Sequence, residues 1–287
     1  FYNHLPAEKT INLADIEKVI NKQAKGTRNY GYVVSAMKKL CRLNKRLDIL
    51  EALESLDVTQ TKFMNLQTVD LAEFLEWRDK TLGVTTQLSS NVHMDTRKAW
   101  MWVFSIQIVY ALRVSEVFAI ANLLEPFVTK DKTVIPALND PTNTGNLIVI
   151  KSETILGTTT KTGYRIARPQ IPPKYPDLME KLDIKNPLVP TNRPRSKNPI
   201  TIRNFLALTA RQKLILWDAP FTQTHADRHL GNINGMQAGI SLEVRSQSLG
   251  HTPAQNDRGY KNRQSTQTTI DLLLNSNQNA IDFVTAL

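Results

Sequence analysis

Apolar residues recur three and four apart along most of this chain, and strict alternation is confined to a few short stretches. After Gly26-Thr27-Arg28-Asn29, the residues Val33, Ala36, Met37, Leu40, Leu43, Leu47 and Leu50 form one stripe, which predicts an amphipathic helix. A second helix is expected over 66–82, with Val69, Leu71, Phe74, Leu75 and Leu82 apolar. The small polar run Leu88-Ser-Ser-Asn-Val92 then reads as a linker and puts a domain boundary near residue 90. From Thr96 the pattern resumes through Trp100, Val103, Phe104, Ile108 and Ala111. Ile106, Val109 and Tyr110 widen it, so this helix is expected to be buried on most sides. Leu112, Val117, Ile120 and Leu124 carry a further stripe, followed by a long connection over 123–145.

The β-branched run Asn146-Leu-Ile-Val-Ile-Lys151 and the segment Tyr164-Arg-Ile-Ala-Arg168 read as two strands. The turn-rich stretch Gly157 to Gly163 between them makes the pair a hairpin, with Lys161 near its tip or on its returning arm. Helices are expected over 177–182, 202–215, 225–239, 242–249 and 266–274, and Thr191 to Pro199 is a basic loop. The fold class is therefore mainly α with a small antiparallel sheet (α+β). A helical domain spans 1–90, and a larger domain with a C-terminal tail spans 91–287.

Charge changes this picture. The chain has 287 residues, a net charge of +10 and a pI near 9.6, which points to a polyanionic partner, nucleic acid before membrane. Residues 1–47 hold ten Lys/Arg against three Asp/Glu, residues 48–90 three against eight, and residues 91–287 hold 23 against 15. On the first strong helix, Lys38, Lys39, Arg42, Lys45 and Arg46 occupy the faces left by the apolar stripe, where they are candidate DNA contacts. The bland reading is a solvated lysine-rich face. No apolar run is long enough to cross a membrane, so no membrane partner is expected. The opening residues lack the basic-then-apolar pattern of a signal peptide, and without an initiator Met the numbering is expected to start inside a longer chain. One cysteine, Cys41, excludes an intramolecular disulfide and suits a reducing cytosol. The histidines and Cys41 form no metal-ligand spacing, and neither metal nor cofactor is expected.

The candidate chemistry lies in five short strings taken in order. Arg113-Val-Ser-Glu116 is an i,i+3 pair, for which a salt bridge is the bland reading. Lys161-Thr-Gly lies on the hairpin, where a lysine is ordinarily just solvated. His225-Ala-Asp-Arg228 puts two groups on one helical face. Leu249-Gly-His251 gives a histidine just past a helix end, and Tyr260 comes nine residues later. A phenol can attack a phosphodiester, and guanidiniums can hold the charge that develops on the phosphoryl oxygens.

Together the strings resemble the tyrosine recombinase (phage integrase) family. That family carries an Arg-x-x-Glu box, a hairpin lysine often followed by Thr-Gly, a His-x-x-Arg box, a Leu-Gly-His box and a tyrosine about nine residues on. The resemblance covers 96–262 by motif, and 1–90 only as a helical core-binding domain. It implies a site-specific recombinase that cleaves and rejoins double-stranded DNA through a 3′-phosphotyrosyl link, working as a dimer or tetramer on paired sites in the cytoplasm, on the nucleoid. It implies Tyr260 as nucleophile, Arg113 and Arg228 as phosphate clamps, and His251 as a donor to the same phosphate. His225 would accept the tyrosine proton, Lys161 would act as general acid, with Lys151 the alternative, and Glu116 would orient the first arginine. A hairpin telomere resolvase, a type IB topoisomerase and a non-catalytic DNA-binding relative are the competing outcomes of the same residues. Two positions depart from the family pattern: Asp227 where an apolar residue usually precedes the second arginine, and Ala111 where glycine often precedes Leu-Arg.

Overall fold

A computed structural model describes residues 2–6, 10–61, 67–83, 94–261 and 270, with side chains for all of these but 258–261. The chain divides into two compact units, Phe1–Asn65 and Leu66–Leu287.

The described residues of the first unit form a 3-10 turn (Tyr2–His4) and three α-helices. In α1 (Leu13–Ile20) a capping box closes the start, Asn12 Oδ1 accepting from the Asp15 N–H at 3.0 Å and Asp15 Oδ2 from the Asn12 N–H at 3.2 Å. Thr27 caps α2 (Arg28–Leu43) by accepting from the Tyr30 N–H. Ile16, Val19 and Ile20 of α1 pack with Tyr30, Val33, Val34, Met37 and Cys41 of α2 and with Ile49, Leu50 and Leu53 of α3 (Leu47–Glu54). The expected single stripe through Leu50 is broken. Lys45 turns left-handed at φ 55° and the Arg46 N–H returns to the Cys41 carbonyl at 2.9 Å, so α2 stops at Leu43. The bend leaves Leu43 and Leu47 outside, 74% and 69% exposed. It also takes Lys45 and Arg46 off the helix. Arg46 holds Asp48 through two nitrogens at 3.0 and 2.7 Å and the Ile11 carbonyl through a third, while Arg42 pairs with Glu54 at 3.1 Å. Of the five candidate DNA contacts, Lys39 and Lys45 are exposed with no ion pair among the described residues, and Lys38 is half-buried.

The second unit begins well before residue 90. Asp70 caps α4 (Leu71–Leu82), and the inner face of this helix (Phe74, Leu75, Trp77) joins the core of α5 (Met94–Tyr110). Trp77 meets Phe104 and Phe221 ring to ring, and its indole N–H donates to the Trp217 carbonyl at 2.8 Å. Burial of these aromatics ties α4 to α5 and to the chain around Trp217, so the compact-unit boundary falls at Asn65/Leu66. The linker reading of 88–92 lies outside the described residues.

As expected, α5 is buried almost all round from Trp100 to Tyr110. The stripe after it does not make a long helix. Only the short α6 (Val114–Val117) forms, and then Ile120 bridges to Ile150, with Ala121 N–H bonding the Val149 carbonyl at 2.8 Å. The buried Asn122 explains the switch: its side chain bonds the carbonyls of Pro136 and Leu147 and the N–H of Val149, so the backbone is claimed by the sheet. The long connection contains a hairpin that periodicity missed, β1 (Phe127–Val128) against β2 (Val134–Ile135). The expected hairpin is present as β3 (Ile148–Ile150) antiparallel to β4 (Arg165–Ala167). The described fold is thus mostly helical with two small antiparallel sheets. Four further helices, α7 (Leu178–Lys181), α8 (Pro199–Leu216), α9 (His225–Gln237) and α10 (Leu242–Leu249), fall close to expectation. A fifth, α11 (Pro253–Lys261), is not among the expected helices. Its start is nonetheless written in the chain, as a capping threonine (Thr252) before Pro253. The expected helix over 266–274 lies outside the described residues but for Ile270. Among the described residues no helix is long and apolar enough to cross a membrane.

Candidate active site

The site is built on Glu116. At the end of α5, Ala111 turns left-handed (φ 53°) and the Leu112 N–H returns to the Gln107 carbonyl at 2.9 Å. Arg113 then becomes the residue before α6, and its own N–H donates to Glu116 Oε2 at 2.9 Å. Glu116 is wholly buried and accepts from three guanidiniums: Arg113 at 2.7 Å, Arg228 at 2.8 Å and Arg165 at 2.9 Å. The Thr162 hydroxyl adds a fourth side-chain donor at 2.6 Å. Burial pushes the carboxyl's pKa up, but Arg228, Arg165 and Arg113 together outweigh it and hold the pKa at about 2. Three cations against one anion leave a surplus of two positive charges in and just below the surface of the second unit.

The second arginine arrives on α9. This helix lies so close to α5 that a Cβ at Gly231 would collide with the Ile108 carbonyl and with Ala111, so only glycine fits there. The close approach brings Arg228, three residues earlier, fully under the surface, where it also donates to the Leu249 carbonyl. Gly250 ends α10 in the left-handed region at φ 67°, and a Cβ on it would stand 2.7 Å from Thr162 Cβ. The glycine of the Leu-Gly-His string thus turns the chain and lets the β3–β4 hairpin press against it. His251 comes directly after. Its Nε2 lies 3.1 Å from Arg113 Nη2 and 3.1 Å from Arg228 Nη2. Two cationic donors on one ring nitrogen require that nitrogen to be an acceptor, with the proton on Nδ1. Burial, Arg228 and Arg113 depress the imidazole to a pKa of about 4, so it is neutral at pH 7. Toward the two arginines, His251 is thus an acceptor.

Of the residues expected at one site, Arg113, Glu116, Arg228 and His251 are in direct contact. Lys161 is exposed on the β3–β4 connection, one residue from Thr162. His225 is exposed as the first residue of α9, one helical turn before Arg228. Residue 260 lies in the last turn of α11, and its side chain is outside the described residues. That helix is tied down by the fully buried Asn256, one turn earlier, whose amide reaches Ser246 Oγ at 3.1 Å and Asn232 Oδ1 at 3.5 Å. Arg245 donates to the same Asn232 oxygen at 3.2 Å. Asp227 stands beside Arg228 on α9. It is completely buried, neither carboxyl oxygen has a hydrogen-bond partner among the described residues, and burial holds its pKa well above the ordinary carboxylate value.

Two members of the cluster, Thr162 and Arg165, read from sequence only as hairpin residues. Besides Glu116, Arg165 donates to Thr162 Oγ1 and to the Ser248 carbonyl, each at 2.7 Å. The signal for it lies on the strand: in β4 the arginine is buried and Ile166 is exposed, the reverse of a solvent-facing alternation. Elsewhere on this unit, residues 190–217 hold six Lys/Arg and no Asp/Glu. There a groove of about 710 Å³ is lined by Arg193, Arg195 and Lys213 with Phe205 and Leu216. Among the described residues no cluster of His, Cys, Asp and Glu is placed to hold a metal ion.

No family model matches this sequence, and no curated protein matches it. Among solved structures, the chain is similar to the crystal structure of XerH site-specific recombinase bound to difH substrate, a pre-cleavage complex. That similarity has a TM-score of 0.37 and 13% identity, and covers 91% of this chain and 88% of that one.

Proposed function

We propose that this chain is a tyrosine-type DNA strand transferase, a site-specific recombinase acting on duplex DNA. One observation carries the reading: Arg113, Arg228 and His251 converge on one point, held from behind by a buried carboxylate. Surplus positive charge, bidentate-capable guanidiniums and a neutral imidazole at 3.1 Å suit a phosphodiester, whose non-bridging oxygens accept from both arginines. As the phosphorane develops, its extra negative charge meets fixed donors in a half-buried site, where they act more strongly than in water.

In the reaction, the Tyr260 phenol oxygen attacks phosphorus and forms the 3′-phosphotyrosyl bond, while the bond from phosphorus to O5′ breaks. The phenol proton passes to His225, and Lys161 gives a proton to the leaving O5′. A phenol with a pKa of about 10 needs that acceptor at neutral pH. The new ester keeps the energy of the old one, so a 5′-hydroxyl of a second strand can reverse the step without ATP. Copies on paired sites would exchange strands in this way. The +10 charge and the acid-free stretch 190–217 support DNA as the polyanion.

The test begins by selecting bound duplexes from a random pool, then placing a nick beside the bound site so that the cleaved strand diffuses away. The native chain is expected to accumulate a denaturant-resistant protein–DNA adduct, and Tyr260→Phe to bind equally but form none. A native chain that binds its selected DNA and never forms the adduct would return the protein to the non-catalytic reading. Relaxation of any supercoiled DNA without a specific site would indicate a topoisomerase instead.

A further inference from the structure

We infer that Thr162 is a positioning residue that couples the lysine hairpin to the guanidinium clamp, setting Lys161 in register with the phosphate. The inference rests on the strand-transfer reading and concerns the same site.

Lys161 is exposed, and no hydrogen bond or ion pair holds its ammonium among the described residues. Its placement therefore comes from the backbone on either side. On one side the buried Thr160 donates its N–H to the Ser152 carbonyl at 2.8 Å and its hydroxyl to the Lys151 carbonyl at 3.1 Å, fastening the returning arm to the outgoing one. On the other side the Thr162 hydroxyl donates to Glu116 Oε1 at 2.6 Å and accepts from Arg165 Nη1 at 2.7 Å. Its Cβ stands against Gly250, immediately before His251. Consecutive Cα atoms are about 3.8 Å apart, so two anchored neighbours leave Lys161 only its side-chain rotamers. The anchor on the Thr162 side is the same carboxylate that holds Arg113 and Arg228. The proton donor and the charge clamp thus share one reference point, and the threonine hydroxyl is the link between them.

A residue that only stabilises the fold would slow cleavage whatever the leaving group. A residue that positions the acid should matter only when the leaving oxygen needs a proton. Single-turnover cleavage is measured for the native chain, Thr162→Val, Thr162→Ser and Lys161→Ala. Each is given selected DNA carrying either oxygen or sulfur at the bridging 5′ position, since a thiolate leaves without protonation. Valine keeps the shape and loses both hydrogen bonds. Thr162→Val is expected to cleave the oxygen substrate roughly 10–10²-fold more slowly, part of the roughly 10²–10⁴-fold expected when a general acid is removed. Its DNA affinity should be unchanged, and sulfur should restore most of its rate, as for Lys161→Ala. Thr162→Ser keeps the hydroxyl and should retain the native rates on both substrates. Thr162→Ala, which removes bulk beside Gly250, repeats the contrast if the valine chain does not fold. A Thr162→Val defect of equal size on oxygen and sulfur would overturn the coupling, as would full activity on oxygen. Failure of the native chain to form any adduct would instead remove the strand-transfer reading, and this inference with it.

Discussion

Replacing Glu116 by glutamine tests the centre of this architecture. The side chain keeps its shape, but one carboxylate oxygen becomes an NH₂ that donates toward groups which are themselves donors. Arg113, Arg165, Arg228 and Thr162 lose their common anion, and three buried or half-buried guanidiniums are left facing one another. Removing one partner of a buried ion pair typically costs about 3–5 kcal/mol, because the remaining charge stays desolvated. Proton linkage gives the same scale independently. Glu116 lies at about 2 in the folded chain against 4.5 for a free side chain, which corresponds to about 3 kcal/mol. The sign comes from the lowered value: the contribution is complete above pH 4.5 and is lost as pH falls through about 2. Urea unfolding of both chains from pH 7 down to pH 3 is the assay, with the slope on denaturant required to match so that the midpoints can be compared. Glu116→Gln should be less stable by about 3 kcal/mol at pH 7, and the gap should narrow once the pH drops below 4.5. A loss under about 1 kcal/mol, the scale of an exposed pair, would refute the reasoning. So would a gap that does not change with pH, because the arginines would then be held by their carbonyl partners and packing.

Three other perturbations test separate parts of the structure. Asp227→Leu matches the branching of the buried carboxyl and removes two unpartnered oxygens, so it should raise stability by about 1–3 kcal/mol at pH 7. Because the folded pKa of Asp227 is raised, its native stability falls as pH rises above the free-carboxylate range; the advantage of leucine should widen from pH 3 to pH 7, and a constant gap would count against a buried neutral acid. The His251 ring, followed by NMR, should titrate near pH 4 in the free chain and move upward when inorganic phosphate offsets the two guanidiniums; titration near its ordinary value without phosphate would contradict the 3.1 Å geometry. On the first unit, Lys39→Gln with Lys45→Gln should flatten the salt dependence of DNA binding by about 0.9 per lysine lost. Arg42→Gln with Arg46→Gln should flatten it less, since Glu54 and Asp48 already neutralise those cations; an unchanged slope for the lysine pair would return Lys39 and Lys45 to a merely solvated face.

How legible each element is in the sequence depends on how far its residues' partners lie along the chain. Elements whose signals are local are legible: α5 by its nearly continuous apolar surface, α10 by Ser241 before it and Gly250 after it, and the β3–β4 pair by β-branched residues around a glycine-rich turn. The α2 stripe misleads because leucine at 43 and 47 continues the periodicity through a bend made by Asn44 and Lys45, neither of which is a strong helix breaker. The α6 stripe misleads because Asn122, whose partners lie 14, 25 and 27 residues away, draws the chain to the sheet edge. The domain boundary misleads for the same reason, since Trp77 finds its carbonyl 140 residues downstream.

The site divides along the same line. Arg113 and Glu116 are three apart and their pairing is visible in the sequence, but the carboxylate's other two arginines come from 49 and 112 residues away. No spacing rule relates Glu116 to Thr162 or Arg165. What the sequence carries is an inverted strand face, a charged side chain inside and an isoleucine outside, and a fold tolerates that only where a buried anion repays the burial. The same test applied to α9 separates its two buried charged residues. Arg228 is buried with Glu116, a backbone carbonyl and His251 as partners, and so belongs to the site. Its neighbour Asp227 is equally buried, yet neither of its carboxyl oxygens has a hydrogen-bond partner among the described residues. Adjacent in sequence and alike in burial, the two differ in the partners the fold supplies. On the proposed reading, that difference places Arg228 in the strand-transfer site and Asp227 in the stability cost of the helix that carries both.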